Sequence, residues 1–118
     1  MTAEDAVTEQ GTGQKVGPAI NSFTLHATLI ERDALRQTPA GVPVLRGCLE
    51  HRSQQIENGT PREVRLETDF VLLGNQAGLL AATPLGTALT IQGFMAARSA
   101  KSRQVVMHIN SIEFVTGS

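Results

Sequence analysis

The sequence predicts an all-β fold: a small barrel of five strands with a short helix between the third and fourth, and a flexible tail at the N-terminus. Three observations carry that prediction. Apolar residues recur with a period of two in five separate segments, turn-forming Gly, Pro and Asn stand between them, and one Ala- and Leu-rich stretch interrupts the series. Residues 1–20 (MTAEDAVTEQGTGQKVGPAI) hold few large apolar side chains to offset the entropy of ordering them. They read as a tail ahead of one domain over residues 21–118.

The first strand begins near Asn21, where Phe23, Leu25, Ala27 and Leu29 alternate with Thr24, His26 and Thr28. TPAGVP, from Thr38 to Pro43, is a turn in which Gly41 supplies a positive φ. The second strand spans about Val44 to Ser53, with Leu45, Gly47, Leu49 and His51 on one face and Arg46, Cys48, Glu50 and Arg52 on the other. Asn58-Gly59 is the strongest short turn signal in the chain. The third strand runs from about Arg62 to Leu73, placing Val64, Leu66, Phe70 and Leu72 together and Arg65, Glu67 and Asp69 opposite them. QAGLLAA, Gln76 to Ala82, allows a helix of two turns that Thr83-Pro84 ends. The fourth strand covers Ala88 to Ala97 and the fifth Gln104 to Val115. In the fifth, Val105, Met107 and Ile109 are in phase while Ile112 and Phe114 are shifted by one, so a bulge is expected near Asn110-Ser111. Five strands with a helical piece between the third and fourth follow the order of an OB-fold barrel. An SH3-like barrel, the main rival, has no natural place for QAGLLAA.

Composition narrows the function classes. Of 118 residues, 41% are hydrophobic and 18% charged, so a packed core needs neither metal nor disulfide. The single cysteine, Cys48, makes no internal disulfide, which fits a reducing cytoplasm. No apolar run approaches the ~18 residues of a membrane span, and the acidic MTAEDAVTEQ does not read as a secretory signal. Catalysis fails on inventory. His26, His51, His108 and Cys48 show no metal-ligand spacing, and Cys48 and His51, three apart on a strand, point to opposite faces. There is no phosphate-cradling GxxxxGK[ST] run. Neither a cofactor nor a small-molecule substrate is expected.

The net charge of −1 hides a pattern. Acids and arginines interleave from Glu31 to Asp69, but no acid occurs between Asp69 and Glu113, where Arg98, Lys101 and Arg103 are the only formal charges. Three cations clustered between two apolar runs predict a basic loop that binds an anion; the competing reading is a hairpin tip made basic to protect an edge. Arg46 and Arg52 share a strand face, and Arg62 and Arg65 stand at the entrance of the third strand. Arginine suits single-stranded nucleic acid because guanidinium bonds phosphate and also lies flat on a base. The same arginines are also placed for cross-strand pairing with Glu50, Glu63 or Glu67. Aromatics are few, with no Trp or Tyr and Phe only at 23, 70, 94 and 114. Phe94, in phase with Thr90 and Gln92 and opposite Leu89 and Ile91, is the one open to base stacking, with dimer contact or local burial as the competing readings.

Leu49-Glu50-His51-Arg52-Ser53 closing the second strand and Leu89-Thr90-Ile91-Gln92-Gly93-Phe94 in the fourth resemble the primosomal replication protein N (PriB) family, relatives of bacterial single-stranded DNA-binding protein. The likeness extends from about Asn21 to Gly117 and takes in TPAGVP and Val106-Met107-His108. It implies a homodimeric OB-fold that binds single-stranded DNA and helps load the replicative helicase at stalled forks. The implied partners are the primosomal helicase PriA and, in some lineages, DnaT. It also implies cationic contacts at Arg36, Arg52, Arg62 and Lys101. Thr60 and Arg65 stand where the family carries aromatics, so the electrostatic contacts carry over and the stacking ones do not. The expected DNA-contacting set is Arg36, Arg46, Arg52, Arg62, Arg65, Arg98, Lys101 and Arg103. The alternative is a protein–protein adaptor of the primosome with little DNA binding of its own.

Overall fold

In the computed structural model, which describes residues 16–115, the alternation starting at Phe23 forms strand β1 (Phe23–Arg32). It is followed by β2 (Arg36–Gln37), β3 (Pro43–Glu57), β4 (Thr60–Leu73), helix α1 (Asn75–Ala81), β5 (Ala88–Ala97) and β6 (Val105–Phe114). The tail expected over residues 1–20 falls mostly outside the described residues; residues 16–20 carry no regular structure and are exposed.

Five strands close on themselves. β1 pairs antiparallel with β3 on one edge and β5 on the other, β5 pairs with β6, β3 with β4, and a parallel β4–β6 pair completes the ring. This is the closed barrel order of an OB-fold. Leu29, Leu45, Leu49, Phe70, Leu72, Leu89 and Ile91 fill its interior with no solvent exposure or nearly none. Period-two alternation puts them there, and the same alternation sends Arg46, Arg52, Arg65 and Glu67 outward. Helix α1 packs on β3 and β4 through its buried Ala77 and Leu80.

The extra strand β2 corrects the expectation of a bare turn between the first two long strands. Arg36 and Gln37 pair with Val44 and Pro43, just before a turn in which Gly41 adopts φ 86°. Two residues are too few to show a periodicity, so nothing in the sequence marks this strand. β3 and β4 also run past the expected ends at Ser53 and Arg62, continuing as a two-stranded arm to Asn58-Gly59. In the arm neither face is buried, so the ladder forms without apolar alternation and leaves Ile56 exposed.

Asn58 (φ 51°) and Gly59 (φ 78°) form the arm's two-residue turn, both left-handed, as a type I′ hairpin requires. An added Cβ at Gly59 would meet nothing within 4 Å, so the cost of Gly59→Ala is conformational. That cost is about 1–2 kcal/mol, and hydrogen exchange of the arm amides quickens by roughly 5–30-fold.

The bulge in the last strand lies where the phase shift places it. Gln92 pairs with Ser111 and Gly93 with Ile109, leaving Asn110 as the additional residue on β6.

Candidate nucleic-acid interface

The outer face of β3 and β4 is a ladder of directly opposed pairs: Arg46 with Val71, Cys48 with Asp69, Glu50 with Glu67, and Arg52 with Arg65. Like charges in direct opposition repel, and diagonal contacts relieve them. Arg52 Nη2 lies 3.4 Å from Glu50 Oε2, and Arg65 donates to the same oxygen through Nε at 3.2 Å. Glu50 is thus shared by two guanidiniums. Arg62 sits in the projecting arm, where Nη1 donates to Glu57 Oε1 at 2.7 Å. All three arginines keep more than half of their side-chain surface in solvent. Ion pairs this exposed contribute at most about 1 kcal/mol each.

The loop from Arg98 to Gln104 stands over one edge of this face. Its backbone is tied to itself: Arg98 N–H donates to Gln104 O at 2.8 Å, Ser102 N–H to Ser99 O at 3.1 Å, and Gln104 N–H to Ser102 Oγ at 3.0 Å. The sequence offers Arg98 no nearby acid, but the fold supplies one, for Arg98 pairs with Asp69 of β4. Lys101 and Arg103 are exposed and, among the described residues, make no ion pair, as is also true of Arg36 and Arg46.

Two cavities on the outer face include Arg98 in their walls. One, of about 480 Å³, has Glu31, Asp33, Arg46, Asp69, Arg98 and His108 in its wall. The other, of about 450 Å³, includes Cys48, Glu67, Asp69, Arg98, Arg103 and Gln104. The structure therefore places Arg46 in the first cavity, Arg103 in the second and Arg98 in the wall of both, with Arg52 and Arg65 further along the same sheet face. Arg62 lies in the arm and Arg36 on β2, both outside the walls of these two cavities.

Register produces a feature missed in the sequence. Val71 of β4 pairs with His108 of β6, and His108 pairs with Phe94 of β5, so Arg46, Val71, His108 and Phe94 form one row across the sheet. The Phe94 and His108 rings stack with centroids 4.9 Å apart and planes within 9°. Phe94 remains 38% exposed. The row thus joins a guanidinium, an apolar step and two flat rings. The stack follows from the register of the β5–β6 hairpin, which pairs without interruption from Ala97–Val105 through Phe94–His108 and shifts only between Gly93 and Gln92.

Cys48 offers no nucleophile. Burial pushes its thiol above the ordinary range, and the carboxylates of Glu31 and Glu67 add to the shift. His51 is held elsewhere, with Nδ1 2.7 Å from His26 O and Nε2 2.8 Å from Ser53 Oγ. Among the described residues, no group of three or more His, Cys, Asp or Glu could hold a metal ion. No helix there is long and apolar enough to cross a membrane.

A family model described as "Another single-strand binding protein family" matches residues 21–111. The replication restart protein PriB of Bordetella pertussis is 42% identical over 99 residues, which cover 84% of this chain and 92% of that protein. The chain belongs to the PriB family. PriB of Neisseria gonorrhoeae is 39% identical over 82% of this chain and 96% of its own length. The solved structure of PriB from Ralstonia solanacearum matches with a TM-score of 0.73 at 38% identity, covering 81% of this chain and 98% of that one. A single-stranded DNA-binding protein from Thermus aquaticus, a deletion mutant, matches with a TM-score of 0.67 at 25% identity, covering 83% of this chain and 51% of that one. Every candidate cation, together with Phe94 and His108, lies inside the span that matches the family model.

Proposed function

We propose that this PriB-family chain is a replication restart accessory that binds single-stranded DNA loosely across the outer β3–β4 face. There it stabilises the PriA helicase on DNA for reloading of the replicative helicase, with DnaT as a further partner. The observation that carries the reading is the placement of Arg46, Arg98 and Arg103 in two adjoining cavities that share Arg98, the first of them walled by His108 of the Phe94–His108 stack. A sequence-tolerant binder of single strands needs spaced cations and flat surfaces. The strand face and flanking loops of OB-folds are where oligonucleotides bind.

The proposed unit is residues 21–118 behind a 1–20 tail, acting in the cytoplasm without cofactor or catalysis. A homodimer is part of the proposal. β1 pairs with β5 from Phe23 to Thr28 and with β3 only from Thr28 onward, so the second edge of its first half carries no strand partner among the described residues. An open edge invites pairing with a second copy. Dimerisation doubles the basic loop and raises the effective concentration of its cations.

The adaptor reading draws support from Arg52, Arg62, Arg65 and Arg98, each already paired with a carboxylate of its own chain. Fluorescence polarisation of a labelled oligothymidylate at several salt concentrations separates the two. With Arg46, Lys101 and Arg103 as three phosphate contacts, log K against log salt has a slope of about −2. Absence of binding even at the lowest salt leaves the adaptor.

A further inference from the structure

The Arg98–Asp69 pair stands between the two cavities of the outer face, since both residues belong to both walls. Arg46 lies in one cavity, with Glu31 and Asp33, and Arg103 in the other, with Glu67. The pair thus stands between two guanidiniums that make no ion pair among the described residues. Asp69 arrives from β4, directly opposite Cys48, and is about half exposed, as is Arg98. An exposed pair of this kind is weak enough to be exchanged for another anion. A carboxylate on a guanidinium occupies the same donors that a phosphate would take.

We propose that Asp69 is an internal anion that holds Arg98 in reserve and so sets the affinity of the groove for single-stranded DNA. The inference rests on the DNA-binding reading above. While Asp69 holds it, Arg98 takes no phosphate, and the carboxylate, standing beside the strand, also repels it. Asp69 therefore lowers affinity twice, first by competing and then by repulsion. The role is specific to this acid: Glu31 and Asp33 line the first cavity too, but neither is paired with Arg98.

The test is titration of labelled oligothymidylate with Asp69→Asn, an uncharged side chain of nearly the same shape. Release of Arg98 adds one phosphate contact. Affinity then rises roughly 8-fold at ~50 mM monovalent salt and roughly 4-fold at ~150 mM, and the salt slope steepens by about 0.7. Glu31→Gln removes an acid from the same cavity without freeing Arg98 and leaves the slope unchanged. Adding Arg98→Gln to Asp69→Asn abolishes the gain. Asp69→Ser serves as a second variant, and circular dichroism of each confirms the fold.

Unchanged or weaker binding by folded Asp69→Asn and Asp69→Ser, while the unsubstituted protein binds, overturns this inference and leaves the DNA-binding reading standing. A gain that persists when Arg98→Gln is added also overturns it. If neither the unsubstituted protein nor the Asp69 variants bind at any salt, both readings fall.

Discussion

Lys101→Ala combined with Arg103→Ala weakens binding to single-stranded DNA by roughly 60-fold at ~50 mM monovalent salt and roughly 15-fold at ~150 mM, and makes the salt slope shallower by about 1.4. Both side chains are exposed on the loop between β5 and β6 and carry no ion pair among the described residues. They are thus available to phosphate at no cost in broken contacts. Because phosphate contacts carry no sequence information, the loss is uniform across oligonucleotides of different sequence. Polarisation titrations at two salt concentrations measure it. Unchanged affinity would place the DNA track on another face. Arg62→Ala is the useful contrast, since that guanidinium already serves Glu57 at 2.7 Å. Its loss also frees an acid, so its effect mixes two causes where the loop variants have one.

Gly93→Ala is expected to lower the stability of the fold by about 3 kcal/mol, the severe end of overpacking. A Cβ at Gly93 would overlap the carbonyl oxygen of His108 and come within 3.0 Å of Ile109 Cα. Those are backbone atoms of the neighbouring strand at the Asn110 bulge, so no side-chain rotation relieves the clash. The midpoint of thermal unfolding falls by roughly 10–20 °C for a domain of this size. The same change pushes β6 away from β5 beside the Phe94–His108 pair. Chemical denaturation monitored by circular dichroism reads the stability. A variant as stable as the unsubstituted protein would show that β5 and β6 do not approach so closely.

Much of the fold can be read from the chain because a barrel strand has one face in the core and one in water. Period-two alternation names Leu45, Leu49, Phe70, Leu72, Leu89 and Ile91 as interior, and all are buried. The break in phase between Ile109 and Ile112 signals the bulge at Asn110, since an additional residue turns every later side chain over. The signal fades where burial ends. The arm beyond Ser53 and Val64 has no core side, and β2 is two residues long, so neither imposes a pattern on its amino acids.

The candidate site divides in the same way. Local clustering shows Arg98, Lys101 and Arg103 as one basic loop, and strand phase places Arg46 and Arg52 on a common face. Neither reveals which charges are already satisfied. Arg98 lies in a stretch free of acids, yet Asp69, from a strand earlier in the chain, neutralises it. Glu50 holds Arg52 from its own strand and Arg65 from the next. His108 meets Phe94 because the β5–β6 hairpin, paired from Ala97 and Val105 onward, sets them opposite each other.

The sequence by itself determined the barrel, its interior residues, the Asn58-Gly59 turn and the membership of the basic loop. Each follows from alternation or from residue preference over a few neighbouring positions. Only the tertiary structure decided which cations keep open donors, which rings stack, and that Asp69 and Arg98 stand together between two cavities. Those outcomes depend on which residues lie opposite each other across strands distant in the chain, and Coulomb attraction and stacking act through that distance in space.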